Sequence, residues 1–340
     1  MALKIGVVGM GGMGNFHFRT YTGIKGAKVV AICDIDPKKI SGKGGVEINI
    51  GGGGKGSGFV GVKKYSDYRE LIADPEIEVV DITLPTYIHA PVAIEALKAG
   101  KHVITEKPMA IDSREARRMA AAAKKAKRRL FVAHCIRFWP VYAKAREIVR
   151  GGKHGKLVSA NFRRISGTPT WSWDGWLLDE KRSGLCALDM HIHDTDYILH
   201  LLGKPKSVSC SRGISRKGGL TEHIVASFDY GKGRLVTAEG AWYGAEGVPF
   251  GMSFTIAMET ATLICGTDIK LMLHPAKGKP REIKVRSGDG YEHELRHFVD
   301  CIAKGRKSDV VSPKSAIESV KLVEYELASE KKRAPVKVKL

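Results

Sequence analysis

The chain has 340 residues, 43% of them hydrophobic and 27% charged, the make-up of a globular protein long enough for two domains. No apolar run approaches the roughly 20 residues of a membrane-spanning helix, and the first strand begins so close to Met1 that no room is left for a signal peptide; both argue for a cytoplasmic protein without a membrane partner. A net charge of +20 raises nucleic acid as a partner, but the densest basic run, residues 124–129, has no interleaved aromatics and reads as the solvated end of a helix, so no nucleic-acid partner is expected.

Residues 4–14 read KIGVVGMGGMG: a short β-branched run, fit for a buried strand, ending in G-x-G-x-x-G. Gly9 makes the tight turn, Gly11 lets the backbone approach a pyrophosphate, and Gly14 lets the next helix pack against the strand. That helix begins near Gly12 and Met13 and aims its free N–H groups at the phosphates. A second β-branched run ends at Asp34, 20 residues after Gly14, where a carboxylate binds the ribose 2′-hydroxyl of NAD. Asp34 would repel a 2′-phosphate, and Ile35 supplies no offsetting cation, so NADP is the less favoured cofactor.

Asp36-Pro37 predicts an N-cap with Pro at the first helical position. The glycine-rich stretch 41–58 predicts a surface excursion. The βα rhythm then resumes: a helix capped by Ser66, a strand over 79–82, a helix from His89 to a stop at Gly100, a strand over 103–105, a helix over 113–127 and a strand over 130–133. Strands alternating with helices predict a doubly wound parallel sheet, whose ligands lie beyond the carboxyl ends of the strands. Thr83, Pro85, Thr86, Glu106 and Lys107 all fall at such ends.

The pattern changes after residue 133. A helix over 140–150, a strand over 157–165 and a loop with Trp171, Trp173 and Trp176 lead to a helix over 185–202. From 206 to 285 successive strands without helices predict a mainly antiparallel sheet, and helices over 291–303 and 313–331 finish the chain. The expected domains are 1–133 and 134–340. The six cysteines are scattered without a C-x-x-C pair and read as reduced core thiols.

On an ideal helix, Asp189, His193, Asp196 and His200 fall within about 60° of one another, apart from the apolar face of Leu188, Ile192, Thr195, Leu199 and Leu202. An ionised Asp189 one turn from His193 orients the ring and raises its pKa, the arrangement of a general base and its orienter. A metal site from Asp189, His191, His193, Asp194 and Asp196 competes, as does a purely structural polar contact; no third ligand set is evident, so no metal is expected. Lys107, at a strand end beside Pro108, lies where a nicotinamide ring belongs and is a second acid/base candidate.

Together these motifs resemble the glucose–fructose oxidoreductase/inositol dehydrogenase (Gfo/Idh/MocA) family. The resemblance is carried by Gly9 to Gly14, Asp34, HAPVAIEALKAGKHVITEKP, SGLCALDMHIHDTDYILHLLG and EHELRHFVDCIAKGR. It implies a Rossmann domain followed by an α/β domain with an open antiparallel sheet. It implies NAD(P)-dependent oxidation of a sugar, inositol or other polyol, and a homodimer or homotetramer formed through the C-terminal sheet. The family's Glu-Lys-Pro lysine falls on Lys107 and its D-x-x-x-H pair on Asp189 and His193, which would also bind substrate; of the tryptophan loop, Trp176 with Trp171 and Trp173 could stack on a sugar face or equally anchor the loop. Its cofactor-facing positions fall on the loop from Thr83 to Thr86, on His89 and on Arg137. Where relatives often carry a run of glycines this chain has Ser183-Gly184-Leu185-Cys186, which would reshape the substrate pocket. An NAD-dependent glycoside hydrolase on the same fold and a non-catalytic NAD sensor are the rival readings.

Overall fold

The computed structural model describes residues 2–41, 59–231, 233–245 and 247–340; nearly all of the glycine-rich stretch lies outside the described residues. The chain splits into two compact units, Met1–Cys135 with Gly290–Ile317 and Ile136–Asp289 with Glu318–Leu340.

The first unit runs β1 (Leu3–Val8), α1 (Gly12–Thr22), β2 (Ala27–Cys33), α2 (Pro37–Ile40), β3 (Lys63–Tyr65), α3 (Tyr68–Ala73), β4 (Val79–Ile82), α4 (His89–Lys98), β5 (His102–Glu106), α5 (Ser113–Ala126) and β6 (Leu130–Ala133). The six strands form one parallel sheet in the order β3-β2-β1-β4-β5-β6. Order reverses at β1, the switch point where the glycine turn sits. Ile5, Val7, Val79, Val80, Ile82, Val103 and Ile104 are all fully buried, because helices cover both faces of such a sheet and leave no polar alternation. The expected cap at Asp36 forms, accepting from the Lys38 N–H, and Asp112 caps α5 by accepting from Glu115 N at 2.7 Å. One cap is displaced by a residue: Asp67, not Ser66, starts α3 by accepting from Arg69 N at 2.8 Å.

The second unit contains α6 (Pro140–Gly151), β7 (Leu157–Gly167), α7 (Glu180–Ser183), α8 (Leu185–Asp189), α9 (Ile192–Leu202), β8 (Ser207–Ser215), β9 (Thr221–Asp229), β10 (Leu235–Tyr243), β11 (Gly251–Met258), β12 (Ala261–Cys265), β13 (Leu271–Pro275) and β14 (Arg281–Glu282). Then follow α10 (Gly290–Ala303), α11 (Pro313–Lys332) and β15 (Val336–Lys337). Nine strands form the second sheet in the order β14-β13-β12-β11-β7-β10-β9-β8-β15. Every pair is antiparallel except β7 with β10, which the intervening helices bring alongside in parallel.

Two expectations are corrected. The second domain does not take everything after residue 133, because α10 returns to the first unit: Phe298 stacks on Phe131 of β6 at 4.7 Å and Tyr291 meets Phe16 of α1 edge-on at 4.9 Å. The single helix over 185–202 is two, α8 and α9, parted at Met190 and His191. There the His191 N–H reaches back five residues to the Cys186 carbonyl at 2.8 Å, and the next turn closes at three residues, His193 N to Met190 O.

Candidate cofactor and active site

The glycine turn separates three duties. Gly9 has φ +94°, and a Cβ there would meet the Thr83 carbonyl at 2.8 Å. A Cβ on Gly14 would stand 1.9 Å from the Gly9 carbonyl, so helix and turn pack backbone to backbone. A Cβ on Gly11 would meet nothing within 4 Å. The fold needs the first and third glycines for itself and leaves open space at the second. Gly11 is also the N-cap of α1, and no side chain caps that end, so the amides of Gly12 and Met13 begin a helix whose positive end suits an anion.

Asp34 follows β2 and is buried, with one oxygen accepting Met10 N at 2.8 Å and the other Asp36 N at 2.9 Å. The carboxylate is thereby fixed against the glycine turn. Lys39 Nζ lies 3.8 Å from it, a cation that counting from Ile35 alone misses. Thr83 closes the other side of the turn, its hydroxyl bonded to the Gly9 carbonyl at 2.6 Å.

Pro85 is half-buried and Thr86 buried, at the start of a short 3₁₀ turn. His89, fully inside, bridges two carbonyls: Nδ1 faces Pro108 O at 2.9 Å and Nε2 faces Leu84 O at 2.8 Å. Burial draws its pKa below the ordinary histidine value, against the two carbonyls that favour the cation. The neutral ring donates from one nitrogen and packs against the other carbonyl, so His89 sits between the loop after β4 and the Glu-Lys-Pro turn after β5. Lys107 stands in that turn, half-buried, ahead of a cis bond to Pro108. Glu106 points inward instead: Oε2 accepts the Lys107 N–H at 3.0 Å and Oε1 lies 3.2 Å from His17 Nε2.

In the second unit, the expected polar stripe is divided between two roles. Asp194 takes the Arg164 guanidinium bidentately at 3.0 Å on both sides. Asp196 takes Arg137 at 2.9 and 2.6 Å and also accepts the Ser319 hydroxyl at 2.6 Å. His191 Nε2 meets Glu326 of α11 at 2.9 Å, and that carboxylate holds the His191 pKa up against burial. These groups are buried, whereas Asp189 and His193 are half-buried. So α9 is not polar on one face and apolar on the other. It is enclosed nearly all round, and its buried charges are paired. The five-residue metal cluster does not assemble among the described residues. Burial and the neighbouring Arg137 and Arg146 push the His200 pKa down to about 3, which removes it as a base near neutrality.

Two assignments change. Arg137 is held inside the second unit by Asp196. Trp176 packs, partly buried, on the cluster of Leu177, Leu185, Cys186, Met190, Leu220 and Trp242, while Trp171 and Trp173 are 42% and 44% exposed. The sequence reading also missed His17. Its signal was Asp81, a carboxylate in the middle of a strand buried on both faces, which requires a partner.

A parallel sheet with reversed order, a glycine turn at the reversal and an acid fixed beside it define a dinucleotide-binding protein. Residues 3–134 match the family described as oxidoreductase family, NAD-binding Rossmann fold, and residues 142–264 match the GFO/IDH/MocA C-terminal domain. The chain belongs to the Gfo/Idh/MocA oxidoreductase family, and its first unit is that family's NAD-binding domain. It is 26% identical over 321 residues to the scyllo-inositol 2-dehydrogenase (NAD(+)) of Bacillus subtilis, covering 89% of this chain and 87% of that protein. It is 29% identical over 206 residues to the inositol 2-dehydrogenase of Salmonella typhimurium; that match spans 60% of this chain and little more than half, 56%, of the relative. A levoglucosan dehydrogenase solved with NADH and levoglucosan shares the fold at TM-score 0.84 and 22% identity, with all of both chains covered. No helix among the described residues is long and apolar enough to cross a membrane.

Proposed function

We propose that the protein is an NAD-dependent dehydrogenase that oxidises a secondary alcohol of a sugar, inositol or related polyol, or catalyses the reverse reduction. The observation that carries this reading is the open space at Gly11 beside the fixed Asp34 carboxylate, with Lys107 at the end of a strand on the same edge of the sheet. The names of relatives, inositol and levoglucosan dehydrogenases, support this substrate class.

Gly11, Gly12 and Met13 would hold the pyrophosphate with backbone amides, and Asp34 would accept the ribose hydroxyls. When bound, the nicotinamide supplies the hydride acceptor. His193 takes the proton from the substrate hydroxyl, and Asp189 orients and charge-balances its imidazole. Lys107 donates to the substrate oxygen and is the second acid/base group of this reading. His89 and Glu106 act on the backbone around Lys107, a positioning part in place of direct cofactor contact. Arg137 acts likewise, by anchoring α9 through Asp196. Among the described residues β9 turns exposed side chains to one face of the nine-stranded sheet, with Val225 40% exposed, and that face supports association as a homodimer or homotetramer.

Incubation with NAD⁺ and a panel of inositols, aldoses, anhydrosugars and linear polyols tests the reading by appearance of the reduced nicotinamide absorbance. Stoichiometric NADH with at least one polyol is expected, and NADP⁺ serves as the weaker acceptor. Glycoside cleavage without net NADH, or binding of NAD⁺ with no turnover across the panel, would overturn it.

A further inference from the structure

Asp81 sits in the middle of β4 with no exposed surface. An ionised carboxylate there requires a cation and hydrogen bonds to offset its desolvation. It receives both from the inner side of α1: the Tyr21 hydroxyl at 2.8 Å and His17 Nδ1 at 2.9 Å. His17 is equally buried, and its Nε2 lies 3.2 Å from Glu106 Oε1. Burial opposes the imidazolium, but Asp81 and Glu106 outweigh it and hold the His17 pKa well above the ordinary histidine value. Glu106 in turn accepts the Lys107 N–H at 3.0 Å. The His17–Glu106 ion pair thereby joins the hydrogen bonds of Tyr21 and His17 to Asp81 with the one from Lys107 N to Glu106, and the buried Glu294 of α10 lies beside the same pair.

The residue types suit the task. An imidazolium carries two N–H donors at opposite corners of a rigid ring, so it can bridge carboxylates on two strands. Gln or Asn offers one amide group and cannot span both. The chain also joins two parts of the proposed site, since α1 would present its first turn to the pyrophosphate and presents its second to Glu106.

We propose that His17 is a positioning residue: anchored on Asp81, it fixes the Glu106 carboxylate, and through it the backbone that aims Lys107. The proposal rests on the reading of Lys107 as the ligand for the substrate oxygen. Misplacing a reacting group by an ångström can cost about 10²-fold in rate.

The test compares His17→Gln, Glu106→Gln and the double variant in the full-length protein. Three quantities are measured: kcat with whichever polyol the panel identifies, NAD⁺ affinity by fluorescence titration, and the pH dependence of Lys107 acetylation by mass spectrometry. Each single variant should lower kcat about 10²-fold with NAD⁺ affinity within about twofold. Both variants release the backbone that aims the Lys107 amine and should change its acetylation profile. The double variant should lose no more than the worse single one, because the two residues act in series. Additive losses, or an acetylation profile unchanged by His17→Gln, would overturn the proposal. Should the His17 variant fail to fold, the near-isosteric Asp81→Asn is read by the same acetylation assay, and an unchanged profile there overturns it equally. Acetylation needs no substrate. A coupled change of the profile in a protein that oxidises no polyol would uphold the positioning role and refute the dehydrogenase reading.

Discussion

Gly9, Gly11 and Gly14 differ in what would happen to a methyl group placed on each. At Gly14 the methyl meets backbone, which cannot rotate away, so the cost exceeds the about 1–3 kcal/mol typical of overpacking. At Gly11 it enters open space. Gly14→Ala should therefore lower the melting temperature sharply, whereas Gly11→Ala should leave it nearly unchanged and weaken NAD⁺ binding. Thermal melts and NAD⁺ titrations of the two variants check this, and equal NAD⁺ affinity in wild type and Gly11→Ala would remove Gly11 from the cofactor site. These duties were legible because the motif is local: turn, close approach and helix start all follow from six consecutive residues. His17 was not, since its partners lie 64 and 89 residues further on and no short spacing announces them. The resemblance placed Arg137, after β6, among the cofactor-facing positions, and its partner Asp196, 59 residues on, is announced by no short spacing either.

At the level of elements, short apolar runs with helix caps and stops placed β4, β5, β6, α4 and α5 to within a residue or two, because those signals are local, while β3 carried none. Hydrophobic period failed at α8 and α9. No glycine or proline marks their junction, and the break is bound to distant residues: Glu326 takes both the His191 ring and the Thr195 hydroxyl, at 2.9 Å each. A Cβ on Gly240 of β10 would lie 2.8 Å from the His191 Cβ, so strand and break are fitted together. The stripe of acids and imidazoles read from an ideal helix was thus partly a set of buried ion pairs. Removing one partner of such a pair leaves an uncompensated charge at a cost of about 3–5 kcal/mol. Arg137→Ala should destabilise the protein by about that much in urea unfolding, with NAD⁺ affinity per folded molecule preserved. A selective loss of NAD⁺ affinity in a variant of normal stability would restore Arg137 to the cofactor site.

For the molecule as a whole, the chain's return after the second sheet is what sequence alone did not give. α10 covers β6 and α1 with Leu295, Phe298, Val299 and Ile302, an amphipathic face whose destination periodicity cannot name. Global stability should also carry a histidine signature. His102 accepts the Arg129 N–H on Nδ1 at 2.9 Å, and burial, with Arg128 and Arg129 close by, lowers its pKa to about 4. In the unfolded chain it titrates near 6.5, so between about 6.5 and 4 the unfolded state binds the extra proton. Stability is retained above that window and falls as the pH drops through it. Urea midpoints measured from pH 7 to pH 4 should decline less steeply for His102→Asn than for the wild type; parallel slopes would contradict the assignment.

Turnover and cofactor affinity measured together on Lys107→Ala and His193→Ala bear most directly on the proposed chemistry. Removing an acid/base group from a formed site costs about 10²–10⁴-fold in rate. Each variant should lose about that much in kcat while NAD⁺ affinity and melting temperature stay near wild type, and Asp189→Asn should lose less and displace the pH–rate profile. Undiminished turnover per folded molecule in either alanine variant would contradict the catalytic assignment.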